Sequence, residues 1–252
     1  MLRFLSQTAL LAFSLLGLAC ANKHEVVVMD ALSIHTFRLD HANAHLLVQG
    51  NAFVLVDAGL EKNAEALEAD IRDAGFDPGR IRAVVLTHGH ADHAGGARHF
   101  KDKFGVPIVA GAGDQAMLAS GKMDRLCPTD TIAKLRLEED QNTTYQPTIA
   151  DIWIDAEKPL SEIGGIDGRV IPISGHTKGS LVVLTPKAAF VGDLFRGSIV
   201  DYSAERHFYM CDEADNDRDI RGLLGMGTIK TFFPGHFGPV DRLAVETRFG
   251  AE

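Results

Sequence analysis

Directly after an apolar run from Ile81 to Leu86, the chain reads Thr87-His88-Gly89-His90-Ala91-Asp92-His93. The apolar run predicts a buried strand, and strand ends hold ligand-binding groups on a rigid support. His88 and His90 are two residues apart, so in extended backbone both imidazoles leave the chain on the same side. Asp92 and His93 follow where the chain turns, so they point elsewhere. Two divergent pairs this close together favour two metal ions in one pocket.

A histidine near a loop is commonly an ordinary surface residue. That is our expectation for each of the scattered histidines taken singly, which are His24, His35, His41, His45, His99 and His207. The four potential ligands within the six residues from His88 to His93 do not fit this expectation of surface residues.

Three later apolar runs, Val170 to Ile173, Ala188 to Val191 and Ile229 to Phe233, are each followed by a further potential ligand. These ligands are His176, Asp193 and His236, and each follows a glycine. Without a side chain, the backbone at a glycine can turn tightly or approach another segment closely. The sequence therefore predicts that the later strand ends complete two coordination shells.

The remaining chain alternates predicted strands with predicted helices. A hairpin is expected around Gly50-Asn51, and helices are expected from Leu60 to Ala74 and from Ala94 to Phe104. Further strands are predicted at Val106 to Ala110 and Leu181 to Leu184. This alternation predicts layered sheets covered by helices, in a single domain over residues 21–252.

These motifs resemble the metallo-β-lactamase fold superfamily, over the stretch from Asp57 to His236. The resemblance implies an α/β (α+β) protein, a four-layer αββα sandwich with its active site along one edge of the two sheets. It implies one metal on His88, His90 and His176, a second on Asp92, His93 and His236, and a bridge at Asp193. It also implies that Asp57 orients a ligand imidazole by accepting its other N–H, although turn capping by Asp57 stays open.

Imidazole and carboxylate ligands without a thiolate suit Zn²⁺, Fe or Mn²⁺, and we expect two zinc ions per chain. Two ions about 3.5–4 Å apart lower the pKa of a shared water toward about 7, which provides a bridging hydroxide. The predicted reaction is attack of that hydroxide on a small ester, lactone, thioester or lactam. His88, His90 and Asp92 would take part in this reaction as metal ligands, and Asp92 could also accept or donate a proton.

Within the resemblance, Gly192-Asp193 favours the glyoxalase II and lactonase type. Export of the protein, which residues 1–20 predict, would instead favour a β-lactamase. The tyrosine often found near the metals of acyl-homoserine lactonases is not carried over, because Arg196 stands three residues after Asp193. Tyr202 or Tyr209 could substitute for it, although a structural hydroxyl is the preferred interpretation of either. A mononuclear non-haem iron enzyme that oxidises persulfides, and a binding protein, are the alternatives.

The 34 acidic against 25 basic residues give a net charge of −9, which disfavours nucleic acid as a partner. A small molecule is the expected substrate.

Residues 1–20 predict an export signal, since Arg3 precedes an uncharged apolar run. Its end permits either cleavage by signal peptidase I or lipidation at Cys20, so we expect the bacterial periplasm or cell envelope. A membrane contact is expected only through that anchor. Apart from Cys20, the chain has Cys127 and Cys211, which either form a disulfide or are two unrelated thiols.

The segment from Gly111 to Gly165 has no motif but many apolar residues. It is expected either to cover the metal pocket or to form a small satellite core. The acidic cluster from Asp212 to Asp219 is expected to be a solvated loop.

Overall fold

A computed structural model describes residues 24–201 and 203–250 of the chain. The predicted export signal, with Cys20, and the candidate Tyr202 lie outside the described residues. Within the described ranges, no helix is long and apolar enough to cross a membrane.

The first sheet has seven strands in sequence order: β1 (His24–Met29), β2 (Leu32–Leu39), β3 (Ala42–Gln49), β4 (Ala52–Val56), β5 (Ile81–Val85), β6 (Ile108–Gly111) and β7 (Ile152–Ile154). Strands β1 to β4 run antiparallel, and β4 to β7 run parallel. The expected hairpin is confirmed as β3 and β4, with Gly50 at φ +57°. Strands β1 and β2 were not predicted.

The second sheet is built from β8 (Lys158–Pro159), β9 (Arg169–Pro172), β10 (Leu181–Leu184), β11 (Ala188–Gly192), β14 (Thr231–Pro234) and β15 (Val240–Asp241). Its strand order is β15-β14-β11-β10-β9-β8, and the β11–β14 pair is parallel. A separate ribbon pairs β12 (Arg196–Gly197) with β13 (Ala204–Glu205).

Eight α-helices complete the described fold: α1 (Ala64–Asp73), α2 (Ala91–Ala94), α3 (Ala97–Phe104), α4 (Gln115–Ser120), α5 (Thr131–Gln141), α6 (Leu160–Gly164), α7 (Glu213–Gly225) and α8 (Arg242–Phe249).

The alternation of side chains along the strands sorts the apolar residues into layers. In β4, Leu55 packs with Leu67 of α1 and Phe100 of α3, whereas its neighbours Val54 and Val56 face the other way. Those two residues pack with the second sheet in a core between the sheets. The opposite face of the second sheet packs against α7 and α8. The order helix, sheet, sheet, helix confirms the predicted αββα sandwich.

The predicted helix from Ala94 to Phe104 is wrong at its start, because it is two helices broken at Gly95-Gly96. The Gly96 N–H donates to the carbonyl of Gly59 at 2.9 Å, and a Cβ on Gly96 would lie 2.2 Å from the Ala58 oxygen. The two backbones therefore meet too closely for any other residue. Helix α2, which ends at this break, begins at Ala91 inside the histidine motif. Asp92 and His93 therefore lie on a helix.

The acidic cluster is not a loop but the beginning of α7. The Asp212 side chain accepts the N–H of Asp215, and Glu213 and Asp215 lie in the first helical turn. Carboxylates at this end stabilise the helix because they face its free N–H groups.

A disulfide joins Cys127 to Cys211, which settles the question that the sequence left open. The bond links the segment before α5 to the segment before α7.

We predict that Glu68 of α1 stabilises the fold at neutral pH. Its carboxylate accepts hydrogen bonds from Lys103 at 2.6 Å, His99 at 2.7 Å and Arg72 at 3.2 Å. The Lys103 bond, aided by His99 and Arg72, lowers the pKa of Glu68 to about 2. A lowered folded-state pKa stabilises the fold above the unfolded pKa, and that stability is lost as pH falls toward 2. Glu68→Gln should therefore lower the free energy of unfolding by about 1–2 kcal/mol at pH 7.

Urea denaturation at several pH values measures this difference, which should shrink below about pH 4.5. Glu65→Gln, at an exposed site of the same helix, is the matched control. An equal loss in both variants, or a difference that does not change with pH, would contradict the prediction.

Candidate metal centre

The predicted ligands meet at one edge of the two sheets. The loop after β5 carries His88 and His90, and α2 carries Asp92 and His93. The ends of β9, β11 and β14 lead to His176, Asp193 and His236. The structure thus brings together seven side chains that are spread over the sequence.

The first group is formed by His88, His90, His176 and Asp193, whose ligand atoms lie within 4.8 Å of one another. His90 Nδ1 is 3.1 Å from His176 Nε2. Asp193 Oδ2 is 3.6 Å from His88 Nε2 and 3.7 Å from His176 Nε2. These four side chains are almost completely buried.

The second group is formed by Asp92, His93 and His236. His236 Nε2 lies 3.4 Å from both Asp92 Oδ2 and His93 Nε2. Asp193 reaches this group too, with Oδ1 3.3 Å from His93 Nε2 and Oδ2 3.3 Å from His236 Nε2. Asp193 therefore lies between the two groups, where a bridging carboxylate would stand.

Asp57 orients one member of each group. It accepts the Nδ1–H of His93 at 2.8 Å, and it also accepts the backbone N–H and the hydroxyl of Thr87 at 2.7 and 2.8 Å. Because the Thr87 hydroxyl donates to Asp57, its oxygen accepts the Nδ1–H of His88 at 3.1 Å. These contacts match the orienting role that the resemblance implied, rather than turn capping.

Two more ligand rings are each held by a hydrogen bond at the nitrogen that points away from the centre. His236 Nδ1 donates to the His41 carbonyl at 2.8 Å, and His90 Nε2 donates to Asp124 Oδ1 at 2.8 Å. These bonds leave His236 Nε2 and His90 Nδ1 as lone pairs that face the centre. Asp124 escaped the sequence analysis because it lies in the motif-free segment between Gly111 and Gly165.

Asp114, which the sequence analysis also missed, ties two of the ligand loops together. Its buried carboxylate accepts the N–H of Gly89 at 2.9 Å, the N–H of Gly179 at 2.8 Å and the hydroxyl of Thr177 at 2.8 Å. Gly89 stands between His88 and His90, and Thr177 follows His176. Asp114 therefore fixes the distance between these loops.

The ionisation of His88, His176 and Asp193 suits metal binding. Burial lowers the pKa of His88 and of His176 well below the ordinary value, which keeps both rings uncharged. Burial alone would raise the pKa of Asp193, but His207, His236 and His93 hold it well below its usual range. Burial would lower the pKa of His93, but Asp193, Asp92 and Asp57 raise it well above the ordinary value, so this ring holds a proton that a metal ion must displace. Anionic carboxylates beside imidazole lone pairs form a typical donor set for a divalent cation.

Several buried polar atoms of this centre have no hydrogen-bond partner among the described residues. They are His88 Nε2, His176 Nδ1, Asp193 Oδ1 and His207 Nε2. Buried polar atoms are normally paired, so orphans concentrated at one place need an unseen partner. Metal ions fit that role for His88 Nε2 and Asp193 Oδ1, which lie among the other candidate ligands.

The expectation of surface histidines is wrong for His207, as it is for His35 and His45, which are also buried. His207 Nε2 lies 3.1 Å from Asp193 Oδ2, and its ring packs near His176 and His236. It follows β13 without an apolar run or a glycine. No sequence signal could therefore have found it.

A cavity of about 860 Å³ opens onto the centre. Its apolar lining includes Met123, Leu126 and Ile132 from the motif-free segment, together with Phe208 and Phe237. Other residues of that segment, such as Leu118 and Tyr145, pack in the helix-facing core of the first sheet. The expectation that the segment covers the pocket therefore holds for its cavity-lining part, whereas Leu118 and Tyr145 extend a main core and do not form a satellite core.

The possible tyrosine substitute, Tyr209, has its hydroxyl engaged elsewhere. It donates to Asp140 at 2.5 Å and contacts the Ala133 carbonyl at 3.2 Å. Arg196 stacks on Phe208 at 4.3 Å and pairs with Glu205, so it does not reach the metal ligands as a tyrosine would.

Known proteins share parts of this sequence and its fold. Hydroxyacylglutathione hydrolase GloC of Haemophilus influenzae is 29% identical over 152 residues, which are 58% of this chain and 62% of that protein. The probable metallo-hydrolase YybB of Bacillus subtilis is 43% identical over 61 residues, 24% of this chain and 26% of that protein. The chain thus matches less than two thirds of the length of either relative.

Among solved structures, the subclass B3 metallo-β-lactamase BJP-1 of Bradyrhizobium japonicum superposes with a TM-score of 0.60 at 16% identity. The match covers 86% of this chain and 88% of that chain, and it supports the fold alone. The sequence model of the metallo-beta-lactamase superfamily matches residues 38–236, which hold all seven clustered side chains. The chain belongs to the metallo-beta-lactamase superfamily.

Proposed function

We propose that this protein is a dinuclear metal-dependent hydrolase of a small carbonyl substrate. The observation that carries the proposal is the position of Asp193, within 3.7 Å of ring nitrogens from both ligand groups. His88, His90 and His176 would hold one ion, and Asp92, His93 and His236 the other. Zinc fits this nitrogen and oxygen set first, and iron or manganese would be accepted by the same ligands.

A bound pair of divalent cations would supply a hydroxide nucleophile at neutral pH and would polarise the substrate carbonyl. The side chains prepare the centre for this. Asp57, Asp114 and Asp124 fix the ligand loops and rings before substrate arrives, so little reorganisation is needed. The apolar wall at Met123, Leu126 and Ile132 would bind the unreactive part of the substrate and exclude water from the centre.

Substrate classes follow from the site and from the relatives. A carboxylate shared by the two groups favours ester, lactone or thioester hydrolysis, and GloC is by name a hydrolase of hydroxyacylglutathione. The fold of BJP-1 makes a β-lactam the second class to test. Activity toward all four classes would be measured with the full-length protein loaded with zinc.

We predict two ions per chain by elemental analysis, and loss of hydrolysis in His90→Ala by about 100-fold or more, because that change removes a ligand. His99→Gln, on α3 and away from the centre, is the control and should keep the wild-type rate. One iron per chain with oxygen uptake on a persulfide would refute hydrolysis. Equal background rates for wild type and His90→Ala on every substrate would indicate a binding protein instead.

We further predict that Gly235→Ala weakens metal binding without unfolding the chain. A Cβ at this position would lie 2.4 Å from His93 Cε1 and 2.6 Å from Asp193 Oδ1, so both side chains must move. Metal affinity should fall by about 10–100-fold, as for other changes that misplace ligands. Competition with a chelator measures it.

Gly222→Ala is the matched control, because a Cβ on this α7 glycine would meet nothing within 4 Å. It should keep the wild-type affinity. Wild-type metal affinity in Gly235→Ala would show that Asp193 and His93 do not bind the ions.

A further inference from the structure

We propose that His207 is a further catalytic residue, whose Nε2–H donates a hydrogen bond to the substrate oxygen that settles beside Asp193. The inference rests on the proposed function, because it requires a carbonyl substrate in the cavity.

The position of His207 is the first support. Its side chain is only 4% exposed, yet it lines the cavity, as do His90, Asp92 and His236. The ligand candidates His88, His93 and His176 do not line it. His207 therefore adjoins both the metal centre and the cavity.

Its Nε2 atom is also free for an incoming group. The atom is buried and has no hydrogen bond of acceptable geometry among the described residues, although Asp193 Oδ2 is 3.1 Å away. A buried N–H without a partner is unfavourable. A substrate oxygen held next to Asp193 would be that partner.

The number of ligands argues against His207 as another metal ligand. The ligand atoms of Asp193, His207 and His236 also lie within 4.8 Å of one another. With Asp193 shared, however, each ion already has four protein donors from the other two groups. A further protein ligand would occupy the coordination position that a catalytic metal keeps open for water or substrate.

The other ring nitrogen of His207 is compatible with the same assignment. In His93 and His236, Nδ1 faces only acceptors, the Asp57 carboxylate and the His41 carbonyl, which fixes a lone pair at Nε2. In His207, Nδ1 lies 3.2 Å from the Tyr209 N–H and 3.2 Å from the Tyr209 carbonyl. The N–H can only donate, so Nδ1 can accept it while Nε2 carries the proton.

The backbone around His207 is held firmly enough to aim the ring. Thr129 donates its hydroxyl to the His207 carbonyl at 2.7 Å and its N–H to the Phe208 carbonyl at 2.9 Å. The Met210 N–H donates to the Cys127 carbonyl at 2.8 Å, beside the disulfide to Cys211. A donor fixed before substrate binds stabilises developing negative charge effectively.

The test compares His207→Leu, which has no donor, with His207→Gln, whose amide N–H can reach a similar position. The full-length protein is loaded with zinc for kinetics on 4-nitrophenyl acetate, and with cobalt(II) for visible spectra. We expect kcat of His207→Leu to fall by about 10²–10³-fold with little change in KM, and His207→Gln to recover at least about tenfold. Both variants should keep two ions per chain and the wild-type cobalt spectrum.

Titration of the cobalt protein with acetate, a carboxylate product, gives a readout that needs no turnover. Its affinity should fall about tenfold in His207→Leu and recover in His207→Gln. Loss of an ion, or a changed cobalt spectrum in the acetate-free variant, would make His207 a ligand and overturn the proposal. Wild-type kcat and acetate affinity in His207→Leu would also overturn it. Failure of the proposed function itself looks different, because the wild-type protein would then bind fewer than two ions or hydrolyse nothing.

Discussion

The centre depends on buried carboxylates that must be satisfied by fixed donors. A carboxylate removed from water is costly unless hydrogen bonds or opposite charges replace the lost hydration. Asp57 meets this need with Thr87 and His93, and Asp114 meets it with Gly89, Gly179 and Thr177. Each bond that satisfies a carboxylate also fixes a ligand loop. The same interactions therefore stabilise the fold and set the geometry of the site.

Close backbone contacts then bring the two sheets together at this edge. Asn43 of β3 donates its side-chain N–H groups to the carbonyls of Pro234 and Phe237, on either side of His236. The Gly235 N–H donates to the Gly192 carbonyl at 2.8 Å, which joins the ends of β14 and β11. Side chains at these glycines would collide with Thr87 or with His93 and Asp193. The ligands can converge because glycines, which have no side chain, stand where these strand ends meet.

The sequence predicted the parts of this structure that are written locally. The strand ends, the hairpin at Gly50 and the positions of all seven clustered side chains follow from apolar runs and short motifs. The break at Gly95-Gly96 could not be predicted, because its cause is a contact with Ala58 in a distant segment. Asp114, Asp124 and His207 were missed for the same reason. Each has its role only through what the folded chain places next to it.

The site thus has two structural parts, the ligands and the cavity wall. The candidate ligands stand on strand ends and α2, held by bonds to the sheets, whereas much of the cavity wall comes from the segment between β6 and β7. That wall is joined to the His207 segment by the Cys127–Cys211 bond and by the bonds of Thr129. The same segment also carries Asp114 and Asp124, which hold the ligand loops and the His90 ring, so the wall can change without displacing a ligand only where these two carboxylates stay in place. His207 joins the two parts, since it belongs to the wall by its backbone and to the centre by its ring. A change in the wall that shifts His207 would therefore alter the rate of reaction as well as the choice of substrate.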